Sequence, residues 1–283
     1  MTKQPEKMIP SFTGRVPRLP SRTIASLVLI AGIAMSESGS ATRVSVSLQK
    51  ESTATPEAAA DVGALTVRYF PVYVQSPGEW VGFAVTNQGD VPAALTLTAY
   101  GPSGELLPLP ANPFRTSLGP HQQMAKLGTQ LFGSAADSID GWVAVESDQP
   151  GISGMFQLGT DDLHNLDGGA AIEHGNPELF FTRIYEGKGS FYGKDATTYV
   201  SIVNLDSAEA TVALSVGSHP ATVTLPPRGS LYKSISELFG PITVTGDVLR
   251  ASNLVPPEDA GNPGSFSIIG CSITIGIYCW GIR

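Results

Sequence analysis

The sequence repeats itself at a distance close to the length of one domain. Residues 118–133 align without a gap with residues 225–240, and six of the sixteen positions are identical. Residues 83–99 and 200–216 form a second aligned pair, at a spacing of 117 instead of 107. A β-sandwich domain has about 100 residues, whereas solenoid repeats have about 20–50. The duplication therefore predicts two copies of one sandwich-sized unit, with loops of different lengths.

Composition restricts the class of these units. The 283 residues include 31 Gly and 22 Pro, and 15% of the chain is charged while 42% is hydrophobic. Coiled coils need about half Ala, Glu, Lys, Leu and Arg, and disordered chains have few hydrophobic residues, so the composition excludes both classes. Frequent backbone breakers between short apolar segments indicate an all-β chain.

Short apolar segments bounded by Gly, Pro, Asn or Asp are predicted to be strands. In the first unit these strands cover residues 65–74, 81–86, 94–100, 123–127, 142–146 and 152–158. In the second unit they cover residues 179–185, 199–203, 210–216, 221–225, 230–233 and 248–251. One helical turn is predicted at residues 234–240, because Ser234 and Glu237 have the spacing of a capping box and Gly240 follows as a stop.

The second unit departs from the first near its end. Residues 246–252 match residues 141–147 without a gap, and residues 253–262 are then inserted before the chain continues. The uncharged run 265–282 follows, with apolar residues on alternate positions, which is the period of a strand. We expect this strand to complete the second sandwich. Its length leaves a C-terminal membrane tail open as the alternative.

The two cysteines, Cys271 and Cys279, lie in that run. Eight residues of straight strand separate Cα atoms by about 26 Å, whereas bridged cysteines have Cα atoms within about 7 Å. They pair with each other only if the chain turns back between them. Otherwise they are free or paired between molecules.

The N-terminus has the three-part layout of a secretory signal peptide. Five cations precede an apolar run at residues 24–35, which is too short to span a membrane as a helix. Small and polar residues follow at 36–41. We therefore predict export to the cell surface, the periplasm or the medium. The expected organisation is a signal peptide at residues 1–41, a flexible linker at 42–64, and sandwiches at 65–170 and 171–283.

Several segments resemble a known type of module. The segment at residues 141–159, the Leu-Phe-Gly closures at 131–133 and 238–240, and the asparagines at strand ends are similar to tandem immunoglobulin-like β-sandwich modules of uncharacterised bacterial exported proteins. The resemblance implies two tandem antiparallel sandwiches in a secreted or surface protein. It brings no catalytic residues with it.

Motifs for enzymatic chemistry are missing from the sequence. It contains no Gly-x-Ser-x-Gly elbow, and the glycine-rich segment at residues 187–193 lacks the spacing of a phosphate loop, so we interpret it as a hairpin tip. The net charge of −8 disfavours nucleic acid, because phosphate binding depends on Lys and Arg. We expect a protein that is not an enzyme.

One polar cluster could bind a hard cation. Asp161, Asp162, Asn165 and Asp167 supply oxygen ligands within a short segment, so calcium is a hypothesis for this segment. The EF-hand pattern fails at both ends of the loop, and a solvated connection between the two units is the alternative. The four histidines do not have the spacing of zinc ligands. Otherwise we expect no cofactor.

Aromatic residues are the remaining candidates for ligand binding. Trp80, Tyr73 and Tyr192 could stack on a sugar or a partner protein. Packing inside the sandwiches is the competing interpretation, and it is the favoured one for Trp142, which lies in an alternating strand.

These observations lead to one expected function and two alternatives. We expect an exported, non-catalytic scaffold or adhesion protein that binds a protein or glycan at the cell surface through loops or edge strands. The first alternative is a carbohydrate-binding module that accompanies a secreted hydrolase. The second is a metal-assisted hydrolase that uses the polar cluster.

Overall fold

Our computed structural model describes residues 65–135, 137–161, 166–254 and 267–276. Within these ranges the chain forms fifteen strands and two single-turn helices, which confirms the predicted all-β class. The predicted signal peptide and linker lie outside the described residues. The elements are β1 (Thr66–Gln75), β2 (Glu79–Asn87), β3 (Ala93–Tyr100), β4 (Phe114–Leu118), β5 (Gln123–Leu127), α1 (Gly128–Phe132), β6 (Ile139–Ser147), β7 (Ile152–Thr160), β8 (Leu166–Ala170), β9 (Glu178–Phe191), β10 (Lys194–Asn204), β11 (Ala210–Val216), β12 (His219–Leu225), β13 (Ser230–Ser234), α2 (Ile235–Phe239), β14 (Val244–Asn253) and β15 (Ile268–Gly276).

Strands β1 to β8 form the first sandwich. Sheet 1 has the strand order β5-β2-β7-β8 and sheet 2 has the order β1-β6-β3-β4, and all neighbours are antiparallel. Alternate residues of both sheets face a shared core. Phe70 of sheet 2 lies with its ring centroid 5.0 Å from that of Phe83 and 6.3 Å from that of Phe156, both in sheet 1. The two sheets are therefore held together by interlocked aromatic rings.

Strands β9 to β15 form one continuous hydrogen-bonded sheet that divides into two layers. One edge of β10 pairs with β9 up to Thr197 and with β13 from Tyr199 onward, while the other edge pairs with β15. The same edge cannot hold two neighbours, so β9 and β13 diverge at Thr198. Sheet 3 is then β13-β10-β15 and sheet 4 is β9-β14-β11-β12. Both layers contribute to one core, which makes the second sandwich.

Polar groups fill the point where β9 and β13 diverge. The Thr198 hydroxyl donates to the Tyr185 carbonyl and accepts from the Tyr185 N–H, each at 2.9 Å. The Thr198 N–H donates to the Glu186 carboxylate at 3.3 Å. Glu186 is buried, and this desolvation raises the pKa of its carboxyl group. A buried acid thus satisfies a backbone group that has lost its strand partner.

The strand order of the first sandwich recurs in the second. The order β5-β2-β7 in sheet 1 corresponds to β13-β10-β15 in sheet 3, and β1-β6-β3-β4 in sheet 2 corresponds to β9-β14-β11-β12 in sheet 4. In both sandwiches a single helical turn follows the strand at the sheet edge. The sequence duplication is therefore accompanied by a duplication of topology.

Strand pairing corrects one detail of the predicted alignment. Val143 lies opposite Ala99, and Leu249 lies opposite Val216, which is the equivalent of Ala99 at the spacing of 117. Equivalent residues of β6 and β14 are therefore 106 positions apart. The predicted match of residues 246–252 with residues 141–147 has a spacing of 105, and it was wrong by one. The physical reason is a register shift in β14 around Gly246, which has a φ of 67°.

The predicted helical turn after β13 is confirmed as α2. The Ser234 hydroxyl accepts from the Glu237 N–H at 3.3 Å, and the Glu237 carboxylate accepts from the Ser234 N–H at 2.8 Å. Gly240 closes the turn with a φ of 79°. In α1 the Gln130 side chain plays the part of Glu237, because its oxygen accepts from the Leu127 N–H at 3.0 Å.

The outer face of sheet 2 packs against the outer face of sheet 3, so the two sandwiches are stacked. Trp142 is buried in this contact together with Val203 and Ile269, and its indole stacks on Tyr100 with ring centroids 4.6 Å apart. The Trp142 indole N–H also donates to the Arg228 carbonyl at 3.0 Å. Trp142 is thus buried between sheets, as expected, but those sheets belong to different sandwiches.

This contact explains the long apolar run near the C-terminus. Ile268 faces the core of the second sandwich, whereas Ile269 faces sheet 2, so β15 is covered on both sides at these two residues. A strand buried on both faces is apolar at nearly every position. The predicted strand is confirmed for residues 268–276, and residues 277–283 lie outside the described part. In the described residues, none of the helices has the length and apolar character that crossing a membrane requires.

Candidate interaction face

Sheet 1 has an outer face that carries no charged side chain among its described residues. Val81, Phe83, Met124 and Phe156 point into the core, so the alternate positions point outward. The outward positions form cross-strand rows through β5, β2, β7 and β8. They are Trp80, Gly82, Ala84 and Thr86 of β2; Gln123, Ala125 and Leu127 of β5; Ser153, Met155, Gln157 and Gly159 of β7; and Leu166, Gly168 and Ala170 of β8.

Several apolar side chains of this face are exposed. Met155 is 44% exposed, Leu127 is 39% exposed and Leu166 is 52% exposed. Along the strands of an antiparallel sheet with one solvated face, the residues that point to solvent are usually polar. An uncharged face with several exposed apolar residues is a candidate interaction surface. We call this surface the sheet-1 face.

Trp80 lies at one end of the sheet-1 face. It pairs with Gly159 across the strands, and a Cβ atom on Gly159 would lie 2.3 Å from the Trp80 ring. The indole N–H donates to the Thr160 carbonyl at 3.2 Å. The ring is therefore partly buried and lies against Gly159.

The other two aromatic candidates do not join Trp80 in one platform. Tyr73 is fully buried, contacts the rings of Phe83 and Phe132, and has a hydroxyl with no hydrogen-bond partner in the described residues. Burial raises the pKa of Tyr73 to about 12. It is a core residue rather than a surface contact. Tyr192 is 88% exposed at the turn between β9 and β10, in the second sandwich.

The predicted cation cluster is only partly described. Asp161 is exposed, and its N–H donates to the Gly78 carbonyl at 3.0 Å. Asp167 belongs to β8, which pairs with β7, instead of the loop that the calcium hypothesis required. Asp162 and Asn165 lie outside the described residues. The part of the chain that the structure describes contains no group of three His, Cys, Asp or Glu side chains that could hold a metal.

Cys271 lies where the two sandwiches meet. Its side chain packs against the core of the first sandwich together with Tyr232. Burial raises the pKa of the Cys271 thiol, and the charge of Asp167 adds to the rise. The thiol is therefore held in its neutral form, which is the unreactive one. Cys271 is free in the described part of the chain, and Cys279 lies outside it.

Trp80 was predicted from the sequence as a contact residue, whereas the rest of the sheet-1 face was not. Ala84, Ala125 and Met155 attract no attention singly, because scattered apolar residues on a surface are normal. The available signal was that alternate positions of β2 and β7 are all uncharged. That signal becomes informative only when strand pairing shows that these positions share one face.

No protein-family model, no curated protein and no solved structure matches this chain.

Proposed function

We propose that this chain is an exported, non-catalytic scaffold protein that binds a protein partner through the sheet-1 face. The observation that supports the proposal is the uncharged outer surface of sheet 1, with Met155, Leu127 and Leu166 exposed. Covering this surface would remove apolar area from water, which favours association. The binding element is then a sheet face with its edge strands β5 and β8.

The shape of the surface favours a protein over a small molecule. Small ligands prefer concave pockets that cover most of their surface. The sheet-1 face is built from an exposed four-stranded sheet with small residues such as Gly82, Ala84 and Ala170 between the larger ones. Short side chains let another sheet or extended surface approach closely. The acidic net charge of −8 argues against nucleic acid.

The proposal includes an immunoglobulin-like architecture in the broad sense. The pairs β2–β5 and β3–β6 correspond to the B–E and C–F pairs of constant-type immunoglobulin domains. The first and last strands have exchanged sheets, because β1 pairs with β6 and β7 pairs with β2. The resemblance is therefore one of architecture and central strands, with different outer strands.

Export rests on the N-terminal sequence. Mass analysis of the protein recovered from its native cell would test it, because a chain that has lost about 40 residues from its N-terminus supports a cleaved signal. Recovery of the uncleaved chain from the cytoplasm would contradict export.

The interaction is tested by chemical cross-linking in the native cell envelope. We expect the full chain to capture one defined partner and Met155→Glu to lose that partner, because a charge would be buried in the contact. Val91→Glu is the matched control, since Val91 is 50% exposed in a loop outside this face. Equal capture by the chain and by Met155→Glu would show that the sheet-1 face is not the binding surface.

Glycan binding is a second candidate, and the Trp80 ring supports it. The partly exposed indole ring that lies against Gly159 could stack on a sugar. Screening against a broad glycan panel distinguishes the two proposals. Binding that Trp80→Ala abolishes and Met155→Glu retains would favour the glycan, whereas no binding across the panel leaves the protein partner.

A further inference from the structure

We propose that the sheet-1 face of one copy binds the outer face of sheet 4 in a second copy, so that copies join head to tail. The inference rests on the proposed function and names its partner. The chain already makes this kind of contact once within itself, between sheets 2 and 3. The outer face of sheet 1 is the counterpart of the sheet 3 face in that contact, and the outer face of sheet 4 is the counterpart of the sheet 2 face.

Strand register shows that the outer faces of sheets 1 and 3 are equivalent. Ala84 lies opposite Ala125 on one side and Met155 on the other. Ser201, which is 117 positions later, lies opposite Tyr232 and Cys271 in the same way. The outer face of sheet 3 is covered by sheet 2, and the Ser201 hydroxyl donates to the Pro71 carbonyl at 2.5 Å. Sheet 1 presents the equivalent residues Ala84, Ala125 and Met155 with nothing from the described chain on them.

The outer faces of sheets 2 and 4 are equivalent as well. Tyr69 lies opposite Ala144 in sheet 2, and Phe180 lies opposite Arg250 in sheet 4, each one residue before a core phenylalanine. Tyr69 packs in the contact between the sandwiches. Phe180, in the equivalent place, is 62% exposed. Sheet 4 therefore presents an uncovered aromatic residue where sheet 2 uses one.

Two further features make the outer face of sheet 4 complementary to the sheet-1 face: a second exposed apolar residue, and two opposite charges that are paired with each other. Val248 precedes Leu249 as Trp142 precedes Val143, and it is 42% exposed. Arg250 is hydrogen-bonded to Glu178 beside Phe180, which lowers the pKa of the Glu178 carboxyl group. The charges on this part of the face are paired with each other. They need no partner charge from the uncharged sheet-1 face.

The two faces differ from each other, so the contact is heterologous. Such a contact leaves one free face at each end of an assembly and continues into an open chain unless the rotation between copies closes a ring. A symmetric dimer through the sheet-1 face alone is the competing arrangement. The two arrangements predict different behaviour when variants are mixed.

Sedimentation of the purified full chain over a concentration series tests the inference. We expect assemblies that grow with concentration, and we expect Met155→Glu and Phe180→Glu each to weaken assembly at least about tenfold. Each variant keeps one working face, so an equal mixture of the two should form a one-to-one dimer and stop. Val91→Glu should assemble like the unchanged chain. Ala125→Glu, on the exposed edge strand β5, replaces Met155→Glu if that variant does not fold.

Three results would overturn the inference. The first is an unchanged chain that remains monomeric at every concentration. The second is assembly that Met155→Glu abolishes and Phe180→Glu does not affect, because that pattern indicates a symmetric contact. The third is a mixture that forms no dimer although both variants unfold at normal temperatures. None of these decides the proposed function, which depends on Met155-sensitive capture in the envelope.

Discussion

Asn87 and Asn204 make the same hydrogen bonds in the two sandwiches, 117 residues apart. The Asn87 amide donates to the carbonyls of Val91, Leu118 and Gly119 at 2.8–3.2 Å, and its oxygen accepts from the Gly89 N–H at 2.9 Å. The Asn204 amide donates to the carbonyls of Ala208, Leu225 and Pro226, and its oxygen accepts from the Asp206 N–H. Both side chains are completely buried. The asparagines that sequence comparison aligned therefore have one structural task, which is to join two loops at the end of each sandwich.

Replacing either asparagine should make the protein less stable. Asn87→Ala and Asn204→Ala leave buried backbone groups without partners, so each should lower the free energy of unfolding by about 2–4 kcal/mol. Chemical denaturation measures this value. Gln88→Ala, next in the chain but exposed, is the control and should change it by less than about 0.5 kcal/mol. Equal effects at residues 87 and 88 would contradict the role of the buried amide.

Trp142 should couple the unfolding of the two sandwiches. Trp142→Ala removes a large side chain from their contact and should cost about 3–5 kcal/mol. Because the contact joins the two cores, its loss should also divide one denaturation transition into two. Fluorescence and circular dichroism recorded on the same samples would reveal the division as non-coincident curves.

Two control variants separate the contributions of Trp142. Trp142→Phe keeps an aromatic ring and loses the hydrogen bond to the Arg228 carbonyl, so it should cost about 1–2 kcal/mol and leave one transition. Tyr192→Ala, at an exposed position, should leave both stability and cooperativity unchanged. A single transition in Trp142→Ala would show that the sandwiches are coupled elsewhere.

Gly104 marks a close approach between the two sandwiches. It has a φ of 85°, and a Cβ atom there would lie 2.1 Å from the Pro227 carbonyl oxygen. Gly104→Ala should therefore cost the strain of a left-handed alanine, about 1–2 kcal/mol, and a further cost of about 1–3 kcal/mol from the steric clash. Thermal unfolding measures the sum.

Gly78 is the matched control for Gly104. Its φ is 84°, and nothing lies within 4 Å of a Cβ atom placed on it. Gly78→Ala should show the strain alone. If the two variants lose the same stability, the approach of Gly104 to Pro227 contributes nothing.

Glu186 should make stability depend on pH. Desolvation raises its pKa in the folded protein above the ordinary value, so the folded state binds this proton more tightly than the unfolded state. The contribution of Glu186 is therefore most favourable at low pH and is lost as the pH rises through the folded pKa. We expect Glu186→Gln to be more stable than the unchanged chain at neutral pH, and this advantage should vanish below about pH 4. Denaturation curves at several pH values measure the difference in stability between the variant and the unchanged chain. A difference that does not change with pH would show that ionisation of Glu186 does not affect stability.

Local sequence patterns predicted the elements whose shape depends on near neighbours. The capping pair Ser234 and Glu237 identified α2, and alternation identified strands such as β11 at the residues where they occur. Strand β8 was missed because its sequence, Leu-Asp-Gly-Gly-Ala, lacks the residues that favour strands. It forms because β7 offers an edge and because glycine allows the approach. A Cβ atom on Gly168 would lie 2.2 Å from the Phe156 carbonyl oxygen.

The candidate site was less predictable, because it depends on contacts between distant parts of the chain. The sequence marks Trp142 and Met155 equally as residues of alternating strands. Only the stacking of the second sandwich on sheet 2 buries the first and leaves the second exposed. Pairing of the strands, which brings Ala84 and Met155 side by side, has no signal within either segment.

The dependence of the Trp142 contact on β15 also has a consequence during synthesis. All strands of the first sandwich have been made when the ribosome reaches Ala170, but Ile269, which covers Trp142, comes about a hundred residues later. At about 5–20 residues per second, the apolar outer face of sheet 2 stays open for about 5–20 s. During that interval a folded first sandwich would have an uncovered apolar face, which favours aggregation until the last strand arrives.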